Sequence, residues 1–194
     1  MDIHEYIPLA LRTASEKPVL GIQGVDIKLS QALHACIGLS GEILEMVNYA
    51  AENDENSLAG ELEEAGDCLW YCALGMHACG ADMTFAGRSL PFAATPDEAE
   101  DGFADLMKSI ERIHNWAKRV LFYGYLKDDK DMVELGDLFW GAAGGLSRFC
   151  YALQTDAGKV MESNIRKLQK RYPDRFSVEG SINRDLEVEK VAMR

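Results

Sequence analysis

"LSGEILEMV" at residues 39–47 and "ELEEAGDCLWY" at residues 61–71 decide how this chain is read. Glu42 and Glu45 stand three residues apart, as do Glu64 and Asp67. That spacing places each pair of carboxylates on one face of a helix. Apolar residues surround both pairs, so both faces are expected to point inward. Four inward carboxylates repel one another and raise their own pKa values. A hard cation relieves that repulsion, and an oxygen-only donor set suits Mg²⁺, with Mn²⁺ as its substitute. Acidic ligands around such an ion make a natural place to hold a polyphosphate. One Glu-x-x-Glu alone would read as a solvated helix face; the second acidic pair changes the reading.

Working outward, the pattern predicts six helices and an all-α fold. The first covers about 2–14, and a loop with Lys17-Pro18 and Gly21–Gly24 follows. The second runs from about Asp26 to Glu52 and the third from Ser57 to about Gly80, with "NDEN" at 53–56 as the turn between them. A loop around Gly87–Ala94 leads to Thr95-Pro96-Asp97-Glu98. There Thr95 is the N-cap, Pro96 the first helical residue and Glu98 the capping-box acid. That helix is expected to reach about Tyr125. The fifth is placed at about Asp131–Leu153, and the last runs from near Thr155 to Pro173.

The chain contains an internal echo. "LEEAGDCLWYCALG" at 62–75 resembles "MVELGDLFWGAAGG" at 132–145, pairing Glu64, Asp67 and Trp70 with Glu134, Asp137 and Trp140. Two related helical hairpins, fused head to tail as a pseudo-dimer, account for it. Counting back from "LFYG", Ser109 and Arg112 take the places of Glu42 and Glu45, and Lys118 and Arg119 lie further along that helix. One half keeps four acids; the other has lost two and gained cations. With Arg112 in reach, Glu134/Asp137 reads as an ion-pairing site rather than a metal site. The expected organisation is a single all-α domain. Residues 1–94 form the first unit with the complete acidic motif. Residues 95–177 form a degenerate second unit with the final helix, and 178–194 form a tail.

Composition excludes several classes. The net charge of −12 disfavours nucleic-acid and membrane-surface partners, both of which want basic patches. A nucleotide stays compatible, because a bound metal inverts the local sign. No apolar run approaches the roughly 20 residues of a membrane span. The cysteines, Cys36, Cys68, Cys72, Cys79 and Cys150, are odd in number and come without a secretion signal. They read as reduced, buried thiols of a cytoplasmic protein (host cytoplasm if phage-encoded) rather than as a metal site with His77.

Several blocks resemble the MazG-like nucleotide pyrophosphohydrolases of the all-α NTP pyrophosphatase superfamily. "YIPLALRTA" at 6–14 is similar to that family's first helix, and "LHACIGLSGEILE" at 33–45 to its first metal motif. "EAGDCLWY" at 64–71 and "ELGDLFW" at 134–140 are both similar to its second metal motif. "KRVLFYG" at 118–124 resembles a basic helix end, and "ESNIRKLQKRYPDRFS" at 162–177 resembles the last helix, with its Asn-x-x-Lys-Leu-x-x-Arg-Tyr-Pro signature. The chain departs from the family in its second hairpin, and in carrying Asn48 where the family has an aspartate.

The resemblance implies Mg²⁺-dependent hydrolysis of a (d)NTP to the monophosphate and pyrophosphate, with dGTP, dCTP or dUTP as substrates and nucleotide-pool control as the role. It implies Glu42, Glu45, Glu64 and Asp67 as metal ligands, with Glu45 orienting the attacking water at the α-phosphorus. Lys118, Arg119, Lys167 and Arg171 become phosphate contacts, and Asn164 and Tyr172 order a phosphate or the sugar. It also implies a homodimer of two-unit chains. His34 either faces the base or is a buried structural histidine. Trp70 and Trp140 read as core packing. Rival readings are a di-iron carboxylate bundle, for which Glu111-x-x-His114 supplies only one of two required motifs, and a non-catalytic acidic helical module that binds a nucleotide or a protein.

Overall fold

The computed structural model describes residues 1–14, 26–52, 57–124, 129–177, 179, 182–183, 188–189 and 191, and every regular element among them is a helix. Helix α1 is Ile3–Ala10, extended by a 3₁₀ turn at Leu11–Thr13. Asp2 caps it by accepting from the His4 and Glu5 N–H groups, while Glu5 accepts from the Asp2 N–H, a complete capping box. Helices α2 (Ile27–Glu52) and α3 (Ser57–Ala78) follow. The Asp26 carboxylate accepts from the Leu29 N–H at 2.8 Å and so starts α2. Then come α4 (Ala81–Thr84), α5 (Pro96–Tyr123), α6 (Asp129–Phe149) and α7 (Ala157–Arg171). Thr95 caps α5 with Pro96 at its first position, as the sequence predicts.

The differences from the sequence reading are local. Helix α4 is new, entered through Gly80 at φ 72, and its single turn is too short to show a helical period. Helix α6 stops at Phe149 rather than Leu153, and turns through Gln154 (φ 55) lead to α7. There Asp156 is the cap, accepting from the Lys159 N–H, close to the start that the sequence predicts near Thr155. Helix α5 ends at Gly124 in the left-handed region, where glycine carries no steric penalty. The loop over Lys17–Gly24, the 53–56 turn, Tyr125 and most of the 178–194 tail lie outside the described residues.

Helix α3 is the centre of the molecule, packed against α1, α2, α6 and α7. Antiparallel α2 and α3 are held in register at both ends. The Tyr71 ring lies on Gly38 and the Tyr49 ring on Gly60, where added Cβ atoms would fall 2.1 and 2.4 Å from the rings. The second hairpin, α5 with α6, is closer still. Gly102 and Gly145 bring the two backbones together, so that a Cβ on Gly145 would sit 2.7 Å from the Gly102 carbonyl oxygen. The echoed segments lie on α3 and α6, which pack directly on each other.

Phe139, Leu69, Leu74, Leu106 and Ile113 are wholly enclosed in this core, each contributing about 1.5–3 kcal/mol through burial. Four of the five cysteines are buried and Cys79 is partly covered. Burial pushes the Cys72 and Cys150 thiols up to about 12, so they pack as small apolar groups. Trp70 donates to the Ala10 carbonyl (3.1 Å) and the Thr13 hydroxyl (2.9 Å), tying the 3₁₀ turn to α3. Trp140 stacks on Phe85 at 4.5 Å. Both tryptophans therefore serve packing. Among the described residues no helix is long and apolar enough to cross a membrane.

Candidate metal centre

Helices α2 and α3 bring Glu42, Glu64 and Asp67 together, with one carboxylate oxygen from each lying within 4.8 Å of the other two. Among the described residues this is the one group of three or more such side chains close enough to share an ion. Glu64 is buried, and Glu42 and Asp67 are half-buried, so the cluster is open on one side. Burial first, then the hydrogen bond with Glu42 and the charges of Asp67 and Glu42, push the Glu64 carboxyl up to about 9. Burial also raises Glu42, whose hydrogen bond with Glu64 acts the other way. Burial of this hydrogen-bonded pair thus favours a proton shared between Glu64 and Glu42. The cluster holds that proton where a cation would do the same electrostatic work.

Asp67 is fixed from behind by α7. Asn164 Nδ2 donates to one Asp67 oxygen at 2.7 Å, and Lys167 Nζ contacts the other at 2.6 Å. Lys167 also reaches Glu63 at 3.3 Å and has no exposed side-chain surface. Asn164 in turn accepts from the Tyr6 hydroxyl at 2.7 Å, so α1, α7 and α3 are linked through one chain of bonds. Gly66 lets α7 approach, since a Cβ there would sit 3.0 Å from the Asn164 Cβ. The Asn-x-x-Lys pair therefore orients and neutralises Asp67. In this arrangement Lys167 acts on a ligand through Asp67 rather than by touching it.

The other sequence-derived candidates are placed less centrally. Glu45 is exposed, one turn beyond Glu42, and its charge helps to raise Glu42 without its oxygens joining the close group. Arg171 makes a bidentate pair with Glu189, Nε–Oε1 at 2.9 Å and Nη2–Oε2 at 2.6 Å, and its guanidinium lies 6.0 Å from the Tyr172 ring centre. Tyr172 is buried. Lys118 and Arg119 stand exposed near the end of α5, where Lys118 donates to Asn115. The cation that acts most on Glu42 and Glu64 is Lys167.

His34 is exposed rather than buried, edge-on to Trp70 and Tyr71. Arg112 pairs with Glu134 at 3.1 Å, as the sequence predicts for the second hairpin. His114, the lone histidine of the di-iron spacing, hydrogen-bonds the Ser40 hydroxyl. His77 pairs with Asp82 at 3.0 Å instead of joining the cysteines.

Sequence reasoning missed Tyr6 and Tyr71. Burial, then the charge on Asp67, drives the Tyr6 phenol up. Burial, then the charges on Glu42 and Asp67, does the same to Tyr71, whose ring lies on Gly38, one turn before Glu42 on α2. Tyr6 carried a signal: it lies on the apolar stripe of α1 with Ile3, Ile7 and Ala10, and a buried phenol needs a partner.

Comparison with known proteins finds no family model, no curated protein and no solved structure that matches this chain. The molecule is defined by its own geometry: an all-helical protein with a part-buried carboxylate cluster between two antiparallel helices.

Proposed function

We propose that this chain is a Mg²⁺-dependent nucleoside triphosphate pyrophosphohydrolase of the MazG-like kind, releasing a (d)NMP and pyrophosphate. The carrying observation is the Glu42–Glu64–Asp67 cluster, three carboxylates with one oxygen each within 4.8 Å of the other two, backed by a buried lysine. The donor set is all oxygen, which fits Mg²⁺ or Mn²⁺ and does not fit a thiolate- or imidazole-seeking metal. When bound, Mg²⁺ supplies charge neutralisation of the phosphates and an activated water.

The chain's own residues divide the remaining work. Glu42, Glu64 and Asp67 hold the ion; Asn164, Lys167 and Tyr6 keep Asp67 in one orientation. Glu45, at the exposed rim, takes the proton from the attacking water. Arg171 at the end of α7, and Lys118 and Arg119 on α5, are the side chains assigned to the β and γ phosphates. The two hairpins derive from one duplicated unit, with the ligand set retained in the first. A nucleotide-pool role for a cytoplasmic enzyme follows from that chemistry. dGTP, dCTP and dUTP are the substrates to try first.

The test is a panel of ribo- and deoxyribonucleoside triphosphates with Mg²⁺, separating pyrophosphate from orthophosphate, run beside Glu45→Gln. The expected result is monophosphate plus pyrophosphate from a subset of nucleotides. Glu45→Gln is expected to lose about 10²–10⁴-fold in rate, the usual worth of a positioned general base. No release from any nucleotide by a protein that binds Mg²⁺ would sink the enzymatic reading and favour the nucleotide-binding module.

The same reading assigns a second copy of this chain to the outer face of α2. Ile37 and Leu44, two helical turns apart on that face, are 63% and 62% exposed, with Val47 beside them. Gly41 between them faces open space. Leu44→Asp is expected to convert a dimer into a monomer in sedimentation velocity. A wild-type chain that sediments as a monomer at high concentration removes the dimer.

A further inference from the structure

A second concavity, of about 340 Å³, lies on the α5–α6 hairpin, away from the carboxylate cluster's ligands. Its cations are Lys108, Arg112 and Arg148, in a chain whose net charge is −12. Lys108 and Arg148 share one carboxylate, Asp105, at 3.1 and 2.5 Å. Arg112 pairs with Glu134, with both side chains more than half exposed. Among the described residues one buried side-chain nitrogen or oxygen has no hydrogen-bond partner, and it is Arg148 Nε. A buried guanidinium N–H left unsatisfied costs free energy unless something accepts from it.

The internal echo explains why the space exists. In the first hairpin the Tyr71 ring fills the seam between helices by lying on Gly38. The echo replaces Tyr71 with Gly141 and Gly38 with Asp105, and both line the groove. The missing ring leaves a slot over Gly141, where an added Cβ would meet only the Ser109 hydroxyl, at 3.2 Å. Trp140 and Pro91 supply apolar walls to that slot. Trp140 is held rigidly by its stack on Phe85. An open space over Gly141, beside two arginines and a lysine, has the composition of a small-molecule site with apolar walls and a few polar groups.

We infer that this groove binds a nucleoside monophosphate, its base entering the slot over Gly141 and its phosphate meeting Lys108, Arg112 and Arg148. Arginine matches phosphate oxygens in a fork, and lysine adds a point charge. The groove uses none of the metal-cluster residues, so the inference stands apart from the reaction proposed above.

The experiment is calorimetric titration of the full chain with AMP in chelator at low salt, with inorganic phosphate as a second titrant. The proteins are the wild type, Lys108→Gln/Arg112→Gln, Gly141→Tyr and Glu42→Gln. Both groove changes are at solvent-accessible positions, and a thermal melt of each shows whether the fold is kept. AMP should bind the wild type and Glu42→Gln equally, and more tightly than phosphate. The charge variant should bind at least about tenfold more weakly, and Gly141→Tyr should not bind. The inference is overturned if the wild type shows no AMP binding at millimolar concentration, or if either folded groove variant keeps wild-type affinity. Equal affinity for phosphate and AMP overturns the assignment of the slot to the base.

Discussion

Lys167→Met should destabilise the metal-free protein by about 3–5 kcal/mol, the usual cost of removing one partner from a buried ion pair. Its ammonium is fully enclosed, 2.6 Å from Asp67 and 3.3 Å from Glu63. Methionine keeps most of the volume, so the loss reports charge rather than a cavity. Without the lysine, Asp67 and Glu63 lose their buried counter-charge beside Glu42 and Glu64. Added Mg²⁺ should therefore recover part of the loss, because an ion that binds only the folded state stabilises it by mass action. Urea unfolding in chelator and in Mg²⁺ measures both quantities. A change under 1 kcal/mol in chelator would mean that Lys167 is not the counter-charge of the cluster.

Glu64→Gln should move stability and activity in opposite directions. The Glu64 carboxyl rises from 4.5 to about 9 in the folded protein. A raised pKa means the folded state binds the proton more tightly. Its contribution is fully present below pH 4.5 and is lost as the pH climbs toward 9. In chelator the wild type should therefore lose stability across that window, on the order of a few kcal/mol by its upper end. Glutamine carries no such proton, so the variant should be flatter with pH and more stable than the wild type at pH 8. With Mg²⁺ the order should reverse, since the wild type gains a ligand and the variant has lost one. Turnover should fall on the order of 10²–10³-fold, the scale for removing one preorganised electrostatic group. Thermal melts at pH 5 and pH 8, with and without Mg²⁺, decide the matter. A Mg²⁺-induced shift as large in Glu64→Gln as in the wild type would remove Glu64 from the ligand set.

Most of the helical architecture is legible in the residues themselves. Thr95-Pro96 and Asp26 fix helix starts through local hydrogen bonds that need no distant partner. The i, i+3 spacing of Glu64 and Asp67 sets both on one face for the same reason: helical geometry is local. The internal echo likewise predicted that Arg112 would meet Glu134, because side chains in register on two antiparallel helices need only the hairpin to form.

Long-range contacts were not legible. That Lys167 would be enclosed against Asp67, 100 residues away, rather than turned toward a phosphate, depends on how α7 docks over Gly66. The contact of Lys167 with Glu63 likewise depends on that docking. Glu45 shares a face with Glu42 by spacing, yet it stays exposed and its oxygens do not join the close group. The sequence by itself determined most of the helices and their acidic faces, since those follow from periodicity and capping within a few residues. Only the tertiary structure decided which carboxylates meet, that a buried lysine stands behind one of them, and that Gly141 on α6 lines a groove with three cations. Each of these depends on packing between segments far apart in the chain, where a glycine or a ring on one helix sets the space left on another.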